Sequence, residues 1–527
     1  MRKVSIVLLA VLLAVPSMVL GQSLEEQVKE LQEELEYISE RVDRTERHTA
    51  TDRITFTGDF RTKAHSVHYQ DLTWSPGVTV PGMGSFSMFG PGFQPEKKDL
   101  DNDILYTTRL RLNMKAKVYE NVSFAGRLSM YKNWGDSTGV KVFDSWDAFT
   151  MDGTNSGNTT GDWLRVERAY FDWKNIAGSN FYLSIGRRPS TYGPPTQYRE
   201  NEMRGGTPSG HLVNFNFDGI TIGHKLGEIT GVEGQVARFC YGQGYESQHG
   251  NGELFEGDDF ATEDTHLGGF NLDLLNDGKN FLQLTAFAAL DVTDGFKGTF
   301  AFPSQLMELF APTINQDAQN FPNMNFVTRY QPSTTIGDIY LGGLGYAREE
   351  WSGLTYFASL GWTRLKPNGD AGMFGGMGSD EAYQLEDLDD DGIPETPVPT
   401  GEVVDDSTHD GYSIYAGLQV PAPLGKFGVE YNYGSKYWTP FTQAQDDIIG
   451  SKLATRGHVG ETYYIFDVNP RMFIKLAGLY YDYEYTNSGS PVGAPQNVDE
   501  VQAGDAFSML PAVDTAWDAN ASLTIKF

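Results

Sequence analysis

The chain has 527 residues and a formal charge of −30, with 70 acidic against 40 basic side chains, which excludes a role in binding nucleic-acid phosphates. Its single cysteine, Cys240, excludes an internal disulfide, a thiolate metal cluster and a CxxCH haem attachment. Gly 59, Tyr 27, Phe 32 and Trp 9 beside a mean hydropathy of −0.39 describe a β-prone, aromatic-rich chain of modest average hydrophobicity.

Met1, Arg2 and Lys3 give a basic start, Val4 to Val15 an apolar run, and Val19 and Gly21 small residues at minus three and minus one. Together they predict a secretory signal peptide over 1–21, cut before Gln22, because the run is shorter than the ~20 residues a spanning helix needs. No second apolar run of spanning length follows. An exported chain of this kind enters a membrane only as a closed barrel, whose strands satisfy each other's backbone hydrogen bonds.

In the segment 22–50, Leu24, Val28, Leu31, Leu35, Ile38 and Val42 recur at alternating spacings of four and three, with Glu, Gln, Lys and Arg between them. This heptad seam predicts a short coiled-coil helix in the periplasm that joins copies of the chain into an oligomer. With only about three heptads it is marginal alone, and a lone amphipathic helix packed on a barrel mouth is the alternative.

From residue 51 the period changes to two. Ile54, Phe56, Gly58, Phe60 and Thr62 oppose Thr55, Thr57, Asp59, Arg61 and Lys63, and Tyr106 to Val118 repeats the pattern around Arg109, Arg111, Asn113, Lys115 and Lys117. Further strands are predicted near 122–130, 163–173, 181–187, 214–226, 232–241, 266–275, 281–292, 336–348, 352–364, 411–420, 426–434, 459–468, 471–485 and 513–527. Connections alternate between short (Glu120-Asn121, Asn276-Asp277-Gly278, Pro421-Ala422-Pro423, Asn469-Pro470) and long (66–103, 132–162, 188–213, 365–410). A soluble sandwich gives no reason for that alternation. An all-β transmembrane barrel of about sixteen antiparallel strands over 51–527 does, with short periplasmic turns, long outer loops, an apolar face towards lipid and a polar face towards the lumen. Tyr463, Tyr464, Phe466, Tyr480, Tyr481, Tyr483 and Tyr485 are placed near the two interfacial belts, although neighbours have opposite parity and some of them must point inward.

Inward parity gathers Arg61, Lys63, Arg109, Arg111, Lys115, Lys117 and Arg127, with Arg168, Lys174, Arg187 and Arg188 on the strands that follow. These predict a basic, pore-lining wall, or else cations that pair with luminal carboxylates or bind lipopolysaccharide phosphates. In the acidic loop 381–410, Asp387, Asp389, Asp391, Gly392 and Glu395 match five positions of a calcium loop, although Val398 stands where the bidentate Glu belongs. The nine histidines form no nucleophile or metal motif, so no enzyme and no further cofactor is expected.

The strand ending on Phe527, the stretch Val429-Glu430-Tyr431-Asn432-Tyr433-Gly434-Ser435-Lys436-Tyr437-Trp438 and the stretch Tyr480-Tyr481-Asp482-Tyr483-Glu484-Tyr485 resemble bacterial porins. They are similar in particular to a family of porin-like outer-membrane proteins that carry a coiled coil after the signal. The resemblance implies a trimeric outer-membrane barrel touching lipid and lipopolysaccharide, and a passive channel for small hydrophilic solutes. It also implies that the third outer loop, Pro189 to Gly210, folds inward as a constriction carrying Tyr192, Arg199 and Arg204. Combined with the basic wall, this predicts a modest anion preference. The alternatives are a scaffold for an outer-loop adhesin or receptor, and a sleeve around a cytochrome electron conduit.

Overall fold

The computed structural model describes residues 31, 34–39, 54–135, 161–247, 262–294, 296–301, 326–330, 334–349, 353–372, 374–388, 392–442 and 446–527. It divides into two units, Met1–Thr55 and Phe56–Phe527. In the first, residues 34–39 are helical, and Leu31, Leu35 and Ile38 of the predicted seam are exposed. Leu24, Val28, Val42 and the predicted signal peptide lie outside the described residues.

The second unit is an antiparallel β-barrel. Its staves are β1 (Ile54–Ser75), β2 (Lys97–Tyr119), β3 (Val122–Asn133), β4 (Gly161–Lys174), β5 (Phe181–Arg187), β6 (Asp218–Lys225), β7 (Val236–Tyr245) and β8 (Thr265–Asn276). They continue as β9 (Asn280–Thr293), β10 (Thr335–Glu349), β11 (Thr355–Pro367), β12 (His409–Ala422), β13 (Gly425–Gly434), β14 (Gly457–Asn469), β15 (Met472–Tyr483) and β16 (Thr515–Lys526). Among the described residues each pairs with its neighbours in sequence, and β1 closes the ring by pairing with both β2 and β16. The closing register runs from Asp59 opposite Lys526 to Gln70 opposite Thr515. A seventeenth strand of the same sheet, Ser508–Ala512, extends the β1 edge beyond the staves at the long-loop end.

Short turns gather at one end and long loops at the other, as the sequence predicts. The β8–β9 turn shows how: the Asp277 carboxylate accepts from the amides of Lys279 and Asn280 at 2.8 and 2.6 Å, while Gly278 takes φ 85°. Those bonds, led by the Asn280 amide, hold the exposed Asp277 carboxyl down to about 2.

The period of two sorts side chains by solvent. Phe60, Ile222, Phe270, Leu360, Leu418, Ile474 and Leu523 are exposed on the outer wall, whereas their neighbours Arg61, Thr221, Asn271, Ser359, Gln419, Lys475 and Thr524 are buried inside. The expectation of a uniformly polar lumen fails on one side. Leu267, Phe287, Ala289, Ile339, Leu341 and Leu365 of β8 to β11 point inward and pack on Leu212, Val213, Phe215 and Phe217. Their neighbour is the protein's own loop instead of water, and each buried Leu, Ile, Val or Phe side chain contributes about 1.5–3 kcal/mol. The predicted belt also divides, because Tyr463, Tyr481 and Tyr483 have inward parity and are buried, whereas Tyr480 is exposed on the outer wall.

At the long-loop end, Asp380 ties two loops together by accepting from the Ala494 amide and the Gln496 side chain, both at 2.9 Å. Burial pushes its carboxyl up from 3.8 to about 6, and the two hydrogen bonds oppose the shift only in part. Between pH 3.8 and 6 the folded loop therefore binds a proton that the unfolded chain has lost. The contribution of Asp380 is greatest below the lower value, falls as pH rises to the upper one, and stays low above it. Asp380→Asn should slow hydrogen exchange in 484–514 at pH 8, after correction for intrinsic rates, and change nothing at pH 4. Unchanged or faster exchange at pH 8 would contradict this account.

Candidate functional site

The site is the lumen, and the chain fills it. Residues 188–217, between β5 and β6, leave the long-loop rim and run down inside the barrel to the short-turn mouth, then return. The descending and ascending arms are held together by Gly205 N to Tyr192 O at 2.8 Å and Thr207 N to Pro189 O at 3.2 Å. Gly193 permits this approach: a Cβ there would lie 1.9 Å from the Pro208 carbonyl oxygen. At the tip, Gln419 donates to Tyr198 O at 3.2 Å, Lys526 donates to Asn201 O at 2.7 Å, and Arg204 lies 4.6 Å over the Phe281 ring. Phe281, Gln419 and Lys526 belong to the short-turn ends of β9, β12 and β16. A second loop, described over 435–442 and 446–456, enters beside the first and bonds to it through Asn214 N to Phe441 O at 2.5 Å and Phe441 N to Leu212 O at 2.8 Å. As a result, every one of the sixteen staves has inward side chains that are buried.

The plug has an apolar root and a charged tip. The root is Leu212, Val213, Phe215 and Phe217 with Trp438 and Phe441, packed on the apolar wall of β8 to β11. Beside it the fully buried His211 ring bridges Ser359 Oγ at 2.9 Å and Ser413 Oγ at 2.8 Å, which fastens the ascending arm to β11 and β12. The tip instead meets charge. Arg61 donates to Glu200 at 2.9 Å and to Asp446; Arg109 pairs with Asp59 and Glu202 at 3.0 Å and with Asp446 at 2.5 Å. Arg111 reaches Asp59 at 2.8 Å and also Glu202. Across the lumen, Arg199 takes Asp447 at 2.5 Å and Glu461 at 2.7 Å. Glu461 also takes Lys452 at 2.6 Å and Lys475 at 3.1 Å, and Lys452 pairs with Glu430. Buried charges of this density persist only because each has a partner, and removing one partner typically costs about 3–5 kcal/mol.

The predicted pore-lining residues divide accordingly. Arg61, Arg109 and Arg111 stand in the network, with Lys63 buried on the same face of β1. Arg127 pairs with Glu167 at 3.0 Å, Arg168 donates to the carbonyls of Gly205 and Thr191 at 2.8 and 3.0 Å, and the buried Arg188 donates to Thr221. Lys115 is exposed near the short-turn end of β2. Arg187 differs from the prediction: it has the parity of Leu183 and Ile185, and pairs at 2.8 Å with Asp218, which shares the exposed parity of Ile220 and Ile222. Because Arg187 and Arg188 are adjacent on an extended chain, only one can face inward.

Of the predicted constriction residues, Tyr192 is buried beneath the Arg111 guanidinium at 5.3 Å, Arg199 joins the network, and Arg204 sits at the mouth. In the predicted calcium loop, Asp389 and Asp391 lie outside the described residues. Asp387 accepts from the Gly392 amide at 2.7 Å, and Glu395 is exposed. Among the described residues no group of three or more His, Cys, Asp or Glu is placed to hold a metal ion.

None of the curated proteins matches this chain. Among solved structures, the high-pH structure of Pseudomonas putida OprB is similar at 10% identity and a TM-score of 0.40, over 92% of this chain and 96% of that one. Salmonella typhi OmpF in complex with daunomycin is similar at 10% identity and 0.38, over 89% and 97%. A loop L8 deletion mutant of OmpT, an outer membrane protein of Vibrio cholerae, is similar at 9% identity and 0.39, over 90% and 100%. The family model described as protein of unknown function DUF3373 matches residues 99–527, from the second stave to the closing strand, and the chain belongs to that family.

Proposed function

We propose that the protein is an outer-membrane diffusion channel for small hydrophilic solutes, closed at rest by the tip of its own 188–217 loop and anion-preferring when open. The observation that carries this reading is the division of the plug. Its root is held by apolar packing, but its tip is held by ion pairs and hydrogen bonds that water can replace when the tip moves. A barrel meant only to carry outer loops has no need of a charged seam through its centre. A lumen filled by the chain itself also speaks against a sleeve for a second protein.

The anion preference follows from how the charges are divided. On the wall, Arg61, Lys63, Arg109, Arg111 and Lys475 outnumber Asp59, Glu430 and Glu461, while on the loops Glu200, Glu202, Asp446 and Asp447 outnumber Arg199 and Lys452. Withdrawing the tip leaves the wall basic. The exposed apolar band and the separation of short turns from long loops support the outer-membrane placement, with the short turns periplasmic. The exposed side chains of Leu31, Leu35 and Ile38, each helical, support assembly, for which we propose a trimer.

Planar-bilayer recording of the purified protein tests the channel reading. Infrequent stepwise openings from a closed baseline are expected. A folded, heat-modifiable barrel that never steps would overturn it.

A further inference from the structure

A cavity of about 650 Å³ opens at the short-turn mouth, between the tip of the plug loop, the turn that joins β8 to β9, and Glu349, Gly353 and Thr355. Four cationic side chains border it from four parts of the chain: Arg204 on the tip, Lys279 in the β8–β9 turn, Lys426 on β13 and Lys526 on β16. Arg204 lies in the field of the Asp273 carboxylate, while Lys279, Lys426 and Lys526 make no ion pair among the described residues. Lys526 Nζ donates to the Asn201 carbonyl at 2.7 Å, Lys426 reaches Asn201 Oδ1 at 3.4 Å, and Arg204 lies on the Phe281 ring. The two carboxylates on the border face other groups, since Glu202 is taken by Arg109 and Arg111 from inside the lumen and Glu349 bonds to the Tyr198 hydroxyl. In a chain of charge −30, a mouth with excess positive charge is a local reversal. The cavity also has an apolar side, formed by Phe281, Ala347 and Tyr198. Its volume falls within the roughly 300–1,000 Å³ range of small-molecule sites, and its mixture of apolar wall and few convergent polar groups is typical of them.

We propose that this cavity binds a small organic anion, with its carboxylate or phosphate group on Lys279, Lys426 and Lys526 and its apolar body against Phe281 and Tyr198. The site is distinct from the ion-paired network above it, because its three lysines have no buried carboxylate to displace. Occupancy bears directly on the plug. An anion that takes Lys426 and Lys526 competes with Asn201 for both, and those two hydrogen bonds tether the tip to β13 and β16. The inference goes beyond the channel reading, since binding is measured without any current.

Calorimetric titration of the full-length protein in nonionic detergent with phthalate tests it, with inorganic phosphate and uncharged dimethyl phthalate as comparisons. Phthalate is expected to bind once per barrel, more tightly than phosphate and less tightly as salt rises, while the diester does not bind. Lys279→Ser with Lys426→Ser should weaken phthalate binding by about tenfold or more, the loss of charge-assisted hydrogen bonds. Both lysines lie at the mouth, and heat-modifiable mobility of the variant verifies the barrel. No phthalate binding to folded protein, equal binding of the diester, or unchanged affinity in the double variant would each overturn the proposal. Phthalate binding by a protein that never conducts would remove the channel reading and leave this one standing.

Discussion

Changing Arg199, Glu200 and Glu202 together to glutamine is expected to turn a mostly closed barrel into a conducting one. Each residue loses a buried charge partner: Arg199 loses Asp447 and Glu461, Glu200 loses Arg61, and Glu202 loses Arg109 and Arg111. At about 3–5 kcal/mol for each broken buried pair, the docked tip loses more than the roughly 5.5 kcal/mol that carries an equilibrium from 1:99 to 99:1. The remaining tip contacts include the charge-assisted hydrogen bonds of Asn201 with Lys426 and Lys526, worth about 1.5–3 kcal/mol each, and that of Tyr198 O with Gln419, worth about 0.5–1.5 kcal/mol. The root stays in place, because Leu212, Val213, Phe215 and Phe217 keep their apolar wall and His211 keeps its two serines. Mean current per inserted barrel should therefore rise by about tenfold or more over wild type. A variant that remains heat-modifiable and conducts no better than wild type would show that the tip does not close the path.

How much of this was legible in the sequence depends on which contacts set each feature. The staves were legible, because a strand between lipid and lumen must alternate; Phe60 beside Arg61 and Leu523 beside Thr524 carry that signal locally. Loop lengths then fixed the order and direction of neighbours. The apolar lumen of β8 to β11 was hidden, since Leu267, Phe287 and Ile339 read as either face until the plug that covers them is known. Glu430 and Lys475 could have been found by carrying the parity count past the fifth stave, for they stand between the outward-facing apolar pairs Val429 and Tyr431, and Ile474 and Leu476, while Glu461 between Gly460 and Thr462 gives a weaker signal. Glu200, Glu202, Asp446 and Asp447 gave no such signal. They lie in irregular loops without a period, and only the path of those loops through the barrel brings them to the arginines. The mouth cavity was invisible for the same reason, because its four cations come from segments distant in sequence.

In the opened barrel the larger electrical change should be in selectivity. The formal charge of −30 favours cations at first sight. Much of that acidity sits in loops exposed to salt, where it is screened within about 8 Å at physiological ionic strength, whereas wall charges inside a low-dielectric barrel act on every passing ion. With the tip neutralised, the six cations Arg61, Lys63, Arg109, Arg111, Lys452 and Lys475 stand against the five carboxylates of Asp59, Glu430, Asp446, Asp447 and Glu461. The net field there is positive. The triple glutamine variant is therefore expected to show a reversal potential of chloride sign in a potassium chloride gradient. Adding Arg109→Ser and Arg111→Ser should move it towards potassium, since Asp59 is then left without its two guanidinium partners. Wild-type openings should show the weaker preference, because there Glu200 and Glu202 still neutralise the wall. A conducting triple variant that selects cations would refute the anion preference, and an unmoved reversal potential on removing Arg109 and Arg111 would place the ion path away from β2.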